Sequence, residues 1–181
     1  NMAVSPAEAK AYTLYQISAL GGMCQAQGMK LQHVKPHGAM YNMAAKDYDL
    51  SLAICEAIKE YDPELIVMGL SGSETIRAAK DCGLKTASEV FADRGYEEDG
   101  SLVNRRKEGA FIRDEEEAIA RVIRMVKEGK VTAVTGKDIE IQADSVCVHG
   151  DGEKALLFVE KIRGALKEEG IEIAPLAKVC R

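Results

Sequence analysis

Tryptophan is absent from this chain of 181 residues, phenylalanine occurs three times and aromatics reach only 5%, so a core here must be built mainly from aliphatic side chains. No apolar run approaches the roughly 18 residues that a membrane-spanning helix needs. No charged-then-apolar leader precedes the first helical segment. The five cysteines, at positions 24, 55, 82, 147 and 180, form an odd set without a CxxC or Cys/His spacing. That sets the chain apart from zinc sites and small disulfide scaffolds, and reduced, mostly structural thiols in the cytoplasm are expected. Basic residues are the minority, 24 against 29 acidic, for a net charge of −5; this argues against a nucleic-acid surface and favours a small polar substrate. Neither a G-x-G-x-x-G turn nor a P-loop occurs, which removes the best evidence for the nucleotide-binding open sheets.

What is present is ordinary for one globular domain: 46% apolar and 29% charged residues in a length that suits a single core. Ser5-Pro6-Ala7-Glu8 has capping-box spacing and predicts a helix to about Gln27, with Leu14, Ile17, Leu20 and Cys24 facing the core. A strand is expected near Lys30 to Lys35, a helix from Asp47 to Glu60, and a strand buried on both faces from Leu65 to Leu70. Ser71-Gly72-Ser73-Glu74 opens a helix to about Cys82, and Lys85 to Phe91 forms the next strand. The segment from Ala92 to Ile112 is too long for an ordinary βα connection, and loops of that length often carry function. Asp114 caps a helix with an apolar stripe at Ala118, Ile119, Val122, Ile123 and Val126. A hairpin from Val131 to Gln142, a strand from Ser145 to His149, a helix from Glu153 to Glu169 (with Leu156, Val159, Ile162 and Leu166 inward) and a strand at Ile171 to Ile173 follow. Such βα alternation implies an α/β fold with a parallel sheet, either open or closed into a barrel.

The chemistry gathers at three strand ends. All three histidines, His33, His37 and His149, lie in two of them, and Glu89, Asp93 and Arg94 in the third. Parallel sheets place their active sites at such ends, so one polar cluster is expected. His33 and Lys35 share a strand face and suit an anion, or else form a core histidine and a buried ion pair; His37 in a rigid turn favours the functional reading. Tyr41 and Asn42 line the same turn. Ser71, Gly72 and Ser73 offer backbone amides and hydroxyls to a carboxylate or phosphate, or else Ser71 merely caps the helix with Glu74. Glu89, Asp93 and Arg94 combine proton acceptors or metal ligands with a carboxylate binder, against the plainer reading of a surface ion pair. Arg105 and Arg106 either swing over a bound anion or are a solvated basic pair. His149 is expected to face His33 and His37 across the sheet, with Asp151 either joining it or capping the next helix. Cys147 is expected to pack rather than react.

The segments His33 to Asn42, Gly69 to Glu74, Glu89 to Arg94 and Val148 to Asp151 resemble the LamB/YcsF family, over essentially all 181 residues. The resemblance implies an irregular (β/α) barrel of the glycoside hydrolase/deacetylase type, forming one domain over residues 1–181. It also implies ATP-dependent opening of 5-oxo-L-proline to L-glutamate, together with subunits B and C of a 5-oxoprolinase. The family's Leu-Val-Pro-Arg stands here as Leu102-Val103-Asn104-Arg105, so Arg105 carries over while the rigid turn does not. Its opening Asp-Leu-Asn-x-Asp-x-Gly-Glu strand and Ala-Cys-Gly-x-His-x-Gly-Asp turn are not in the chain, and the expectation is that the first barrel strands lie outside it.

Within that scheme Arg94 or Arg105 holds the substrate carboxylate and Lys35 stabilises developing negative charge. His33, His37 or His149 relays protons, and Glu89 or Asp93 orients water or a magnesium ion accompanying ATP. Two rivals share the barrel class or the ligand. One is a metal-dependent deacetylase or carbohydrate hydrolase, which needs a carboxylate and two histidines on one metal; the other is a non-catalytic substrate-binding subunit.

Overall fold

Ser5 starts the first helix, α1 (Pro6–Ala26), through a complete capping box: its side chain accepts from the Glu8 amide while Glu8 reaches back to the Ser5 backbone. The computed structural model describes residues 1–150 and 155–180, which form two compact units, Asn1–Ser88 with Cys180 and Glu89–Val179.

In the first unit, β1 (His33–Val34) pairs in parallel with β2 (Ile66–Leu70), with His33 opposite Ile66. Between them run α2 (Gly38–Ala44) and α3 (Tyr48–Tyr61), and α4 (Glu74–Asp81) leads from β2 into β3 (Lys85–Phe91). All five residues of β2 are buried, as its unbroken apolar run requires. Ile54, Ile58 and Val67 are fully buried and Leu50 nearly so, each such side chain contributing about 1.5–3 kcal/mol.

The buried face of α1 differs from the expected one. Ala9, Thr13, Ile17 and Gly21 face inward at four-residue spacing, whereas Leu20 is 55% exposed. The cause is close packing through small residues: a Cβ on Gly21 would lie 1.8 Å from the Tyr61 hydroxyl of α3. The second helix, α2, takes seven residues whose local composition reads as a turn.

β3 crosses into the second unit, where Glu89, Val90 and Phe91 pair in parallel with Ser145, Val146 and Cys147 of β6 (Ser145–Cys147). The strand order of the sheet is β1-β2-β3-β6. The long segment after β3 folds back on itself through bridges Arg94 to Phe111 and Tyr96 to Leu102. It leads to α5 (Glu115–Glu128), capped by Asp114, and to the antiparallel hairpin β4 (Lys130–Thr132) and β5 (Asp138–Glu140). Beyond β6 lie α6 (Ala155–Glu168) and α7 (Leu176–Val179). Ile171 to Ile173 form no strand, because three residues with no ladder partner among the described residues gain nothing from extension. Leu156 is 74% exposed on α6 rather than inward. None of the helices among the described residues is long and apolar enough to cross a membrane.

Candidate functional site

The second unit builds its polar centre from the ends of β3 and β6. Ala92 donates its amide to the Cys147 carbonyl at 3.3 Å, which carries the ladder one step past the strands and sets Asp93 beside the chain that leads to His149. There His149 Nδ1 lies 2.7 Å from Asp93 Oδ2, a charge-assisted distance at which the carboxylate accepts the Nδ1 proton. The pairing leaves Nε2 as the nitrogen that takes or gives a proton. The imidazole also lies 6.0 Å from the Phe91 ring, centroid to centroid, so one flank is apolar.

Asp93 has a further property. Its second oxygen, Oδ1, is buried and has no hydrogen-bond partner among the described residues, a state that costs about 1–3 kcal/mol unless a ligand, water or ion satisfies it. Asp93 and His149 line a pocket of about 190 Å³ together with Arg113, Asp114, Glu115 and Phe158. Arg113 lies just past Ile112, where the sequence pattern ends the functional loop; only its place before the Asp114 cap points to it. Glu89, within β3, is 1% exposed.

Arg94 is 5% exposed and donates Nε to the Ala110 carbonyl at 3.0 Å and one Nη to the Val103 carbonyl at 2.6 Å. It therefore clamps the long loop, a duty that residue type alone does not reveal. Burial, and then the neighbouring Arg105 charge, lower its pKa. Arg105 is exposed, and its guanidinium carbon lies 5.7 Å from the Phe111 ring centroid, with that of Arg94 at 5.1 Å. Arg106 is also exposed.

Gly95 and Tyr96 make the loop's close turn possible. A Cβ on Gly95 would meet the Gly109 carbonyl oxygen at 2.0 Å, so no side chain fits. Tyr96 is fully buried, and its hydroxyl accepts the Phe91 amide at 2.8 Å. Burial raises its pKa, which keeps the phenol neutral.

In the first unit, His33, Lys35 and His37 line a cleft of about 620 Å³ that α1 also borders. Both histidines are exposed, so the alternative of a core histidine at position 33 does not hold. Lys35 Nζ stands 5.9 Å from the ring centroid of the buried Tyr41. Asn42 is exposed and donates to the Gly38 carbonyl at 2.9 Å within α2. Ser73, not Ser71, caps α4, accepting the Ile76 amide; Ser71 is buried in the preceding turn. Asp151 lies outside the described residues. No group of three His, Cys, Asp or Glu side chains among the described residues is arranged to hold a metal ion.

Relatives of known name match nearly the whole chain. The A-type subunit of 5-oxoprolinase from Clostridium beijerinckii is 66% identical over 179 residues, covering 99% of this chain and 70% of that protein. The protein of the same name from Campylobacter jejuni is 57% identical over 176 residues, covering 97% of this chain and 69% of its own length. Among solved structures, the lactam utilization protein from Thermus thermophilus superposes with a TM-score of 0.87 at 40% identity, over 96% of this chain and 69% of that one. The LamB/YcsF family pattern extends over residues 1–181. With its motifs, its parallel sheet and its whole length in agreement, the chain belongs to the LamB/YcsF family.

Proposed function

We propose that this chain is one subunit of an ATP-dependent 5-oxoprolinase that hydrolyses the ring amide of 5-oxo-L-proline to L-glutamate, acting with subunits B and C. Its parallel sheet would belong to an irregular (β/α) barrel domain of the glycoside hydrolase/deacetylase class. The names of its relatives support the reaction, and the observation that carries the assignment of residues is the 2.7 Å contact between Asp93 and His149.

The ring amide resists water because nitrogen donation makes its carbonyl a poor electrophile. ATP, when bound, would supply a phosphoryl group to the carbonyl oxygen, which makes the ring carbon open to attack by water. The chain's own residues then handle water and protons. Asp93 holds His149 with its Nδ1 protonated and stabilises the imidazolium that forms as Nε2 accepts a proton from attacking water. The same imidazolium would return the proton to the ring nitrogen as the C–N bond breaks and the amine of glutamate forms, and a second water would then release the phosphoryl group from the new carboxyl end as inorganic phosphate. Asp93 Oδ1, buried and without a partner among the described residues, fits a magnesium ion arriving with ATP. Arg105 and Arg94 serve the substrate's anionic groups. Lys35 stabilises negative charge, and His33 and His37 support proton movement. Tyr41, Asn42, Ser71, Ser73, Glu89 and Asp151 complete the proposed set.

The test is ATP-dependent glutamate release from 5-oxo-L-proline with subunits B and C added, for this chain and for a form extended to the full length of the C. beijerinckii relative. Release that stops without ATP supports the reaction. Silence in both forms, with folding verified by circular dichroism, removes it.

A further inference from the structure

We propose that Arg94 and Arg105, joined by the ring of Phe111, form one oxyanion site in the loop that follows β3. A guanidinium that is 5% exposed normally has a carboxylate beside it, since burying a charge is costly unless it is paired. Arg94 has no ion pair among the described residues: its donors go to the Val103 and Ala110 carbonyls, and the carboxylate next to it in sequence, Asp93, gives one oxygen to His149 and favours the Arg94 charge without pairing with it. The charge that acts on Arg94 most strongly is instead a second cation, with Asp93 and Tyr96 opposing it less. The two guanidinium carbons stand 5.1 and 5.7 Å from the Phe111 centroid, and the Arg105 charge acts against that of Arg94.

Two like charges held over one ring repel each other unless an anion lies with them, and a planar guanidinium suits a carboxylate or phosphoryl oxygen pair. Arg94 is the fixed member, anchored by the loop backbone that it clamps. Arg105 is exposed, and the face of Phe111 is what keeps it near Arg94. Phe111, 41% exposed, is therefore a positioning residue for Arg105. The site rests on the proposed reaction only for the identity of its ligand, an oxyanion that comes either from 5-oxo-L-proline as a carboxylate or from ATP as a phosphoryl group.

Calorimetric titration with inorganic phosphate tests the site without requiring turnover. The wild-type chain should bind phosphate, Arg105→Gln should weaken it about tenfold or more through loss of a charge-assisted contact, and Phe111→Leu should weaken it about two- to fivefold. Phe111→Tyr should restore wild-type affinity, which a merely structural role for the ring would not require. Displacement of phosphate by 5-oxo-L-proline assigns the site to the carboxylate, and displacement by ATP assigns it to the phosphoryl group. Absence of phosphate binding at millimolar concentration, or equal affinity in the wild type and Arg105→Gln, overturns the proposal. Loss of glutamate release with phosphate binding intact would sink the reaction and leave the oxyanion site standing.

Discussion

Replacing Asp93 by Asn exchanges one oxygen for an NH₂ and tests the dyad directly. In the native protein Oδ2 accepts from His149 Nδ1 at 2.7 Å, which selects one tautomer and, in the proposed reaction, stabilises the positive charge that the imidazole gains. An amide of the same shape either turns its carbonyl toward Nδ1, keeping the tautomer without the charge, or turns its NH₂ there, forcing the proton onto Nε2 and blocking proton acceptance. The charge-assisted bond is worth about 1.5–3 kcal/mol, so kcat for glutamate release should fall about ten- to hundredfold. The pair is partly solvated, with side chains 32% and 23% exposed, and the lower end of that range is expected. The fold should survive, because the Asp93 carbonyl still accepts the Ile112 amide at 2.9 Å. Nitrogen-15 shifts of the His149 ring report the tautomer, and steady-state kinetics report kcat. An unchanged kcat in a folded variant that has lost the Nδ1 proton would refute the reasoning.

Other consequences are more local. Gly95→Ala places a methyl 2.0 Å from the Gly109 carbonyl oxygen, and overpacking of this kind should cost about 1–3 kcal/mol in urea unfolding; an unaltered midpoint would contradict the packing. Tyr96→Phe deprives the Phe91 amide of its acceptor and should cost about 1–3 kcal/mol, read as thermal stability. Asp138 is held at about 2, below the usual 3.8, by hydrogen bonds from Arg124 and Thr132. A lowered folded-state pKa means that its contribution is intact above about pH 4 and is lost as pH falls toward 2. The stability gap between wild type and Asp138→Asn should therefore close on acidification over that range, and a gap that widens would reverse the sign.

Local rules recover much of the fold. Ser5 with Glu8, Asp47 and Asp114 mark helix starts by their caps, and β3 runs from Lys85 to Phe91 as its composition predicts. Expectation and structure part where tertiary packing decides. The inward face of α1 follows the small residues that let α3 approach, not the largest apolar side chains. β1 shrinks to His33 and Val34 because pairing with β2, rather than residue type, sets its length. At the site, the histidines and Asp93 stand out because ionisable groups at strand ends are few. The clamp made by Arg94 does not, since its partners are the backbone carbonyls of Val103 and Ala110, and backbone acceptors carry no side-chain signature. Ser71 and Glu74 have capping-box spacing in the sequence, yet the cap is Ser73, because it is the Ser73 hydroxyl that accepts the Ile76 amide.

In the proposed reaction His149, held by Asp93, moves the protons of ring opening. Turnover of His149→Ala with subunits B and C, ATP and 5-oxo-L-proline tests it most directly, with circular dichroism and melting as controls on folding. Loss of glutamate release in a folded variant that still joins the complex is the predicted result. Full release by that variant would contradict the account and favour a chain that binds substrate while its partners do the chemistry.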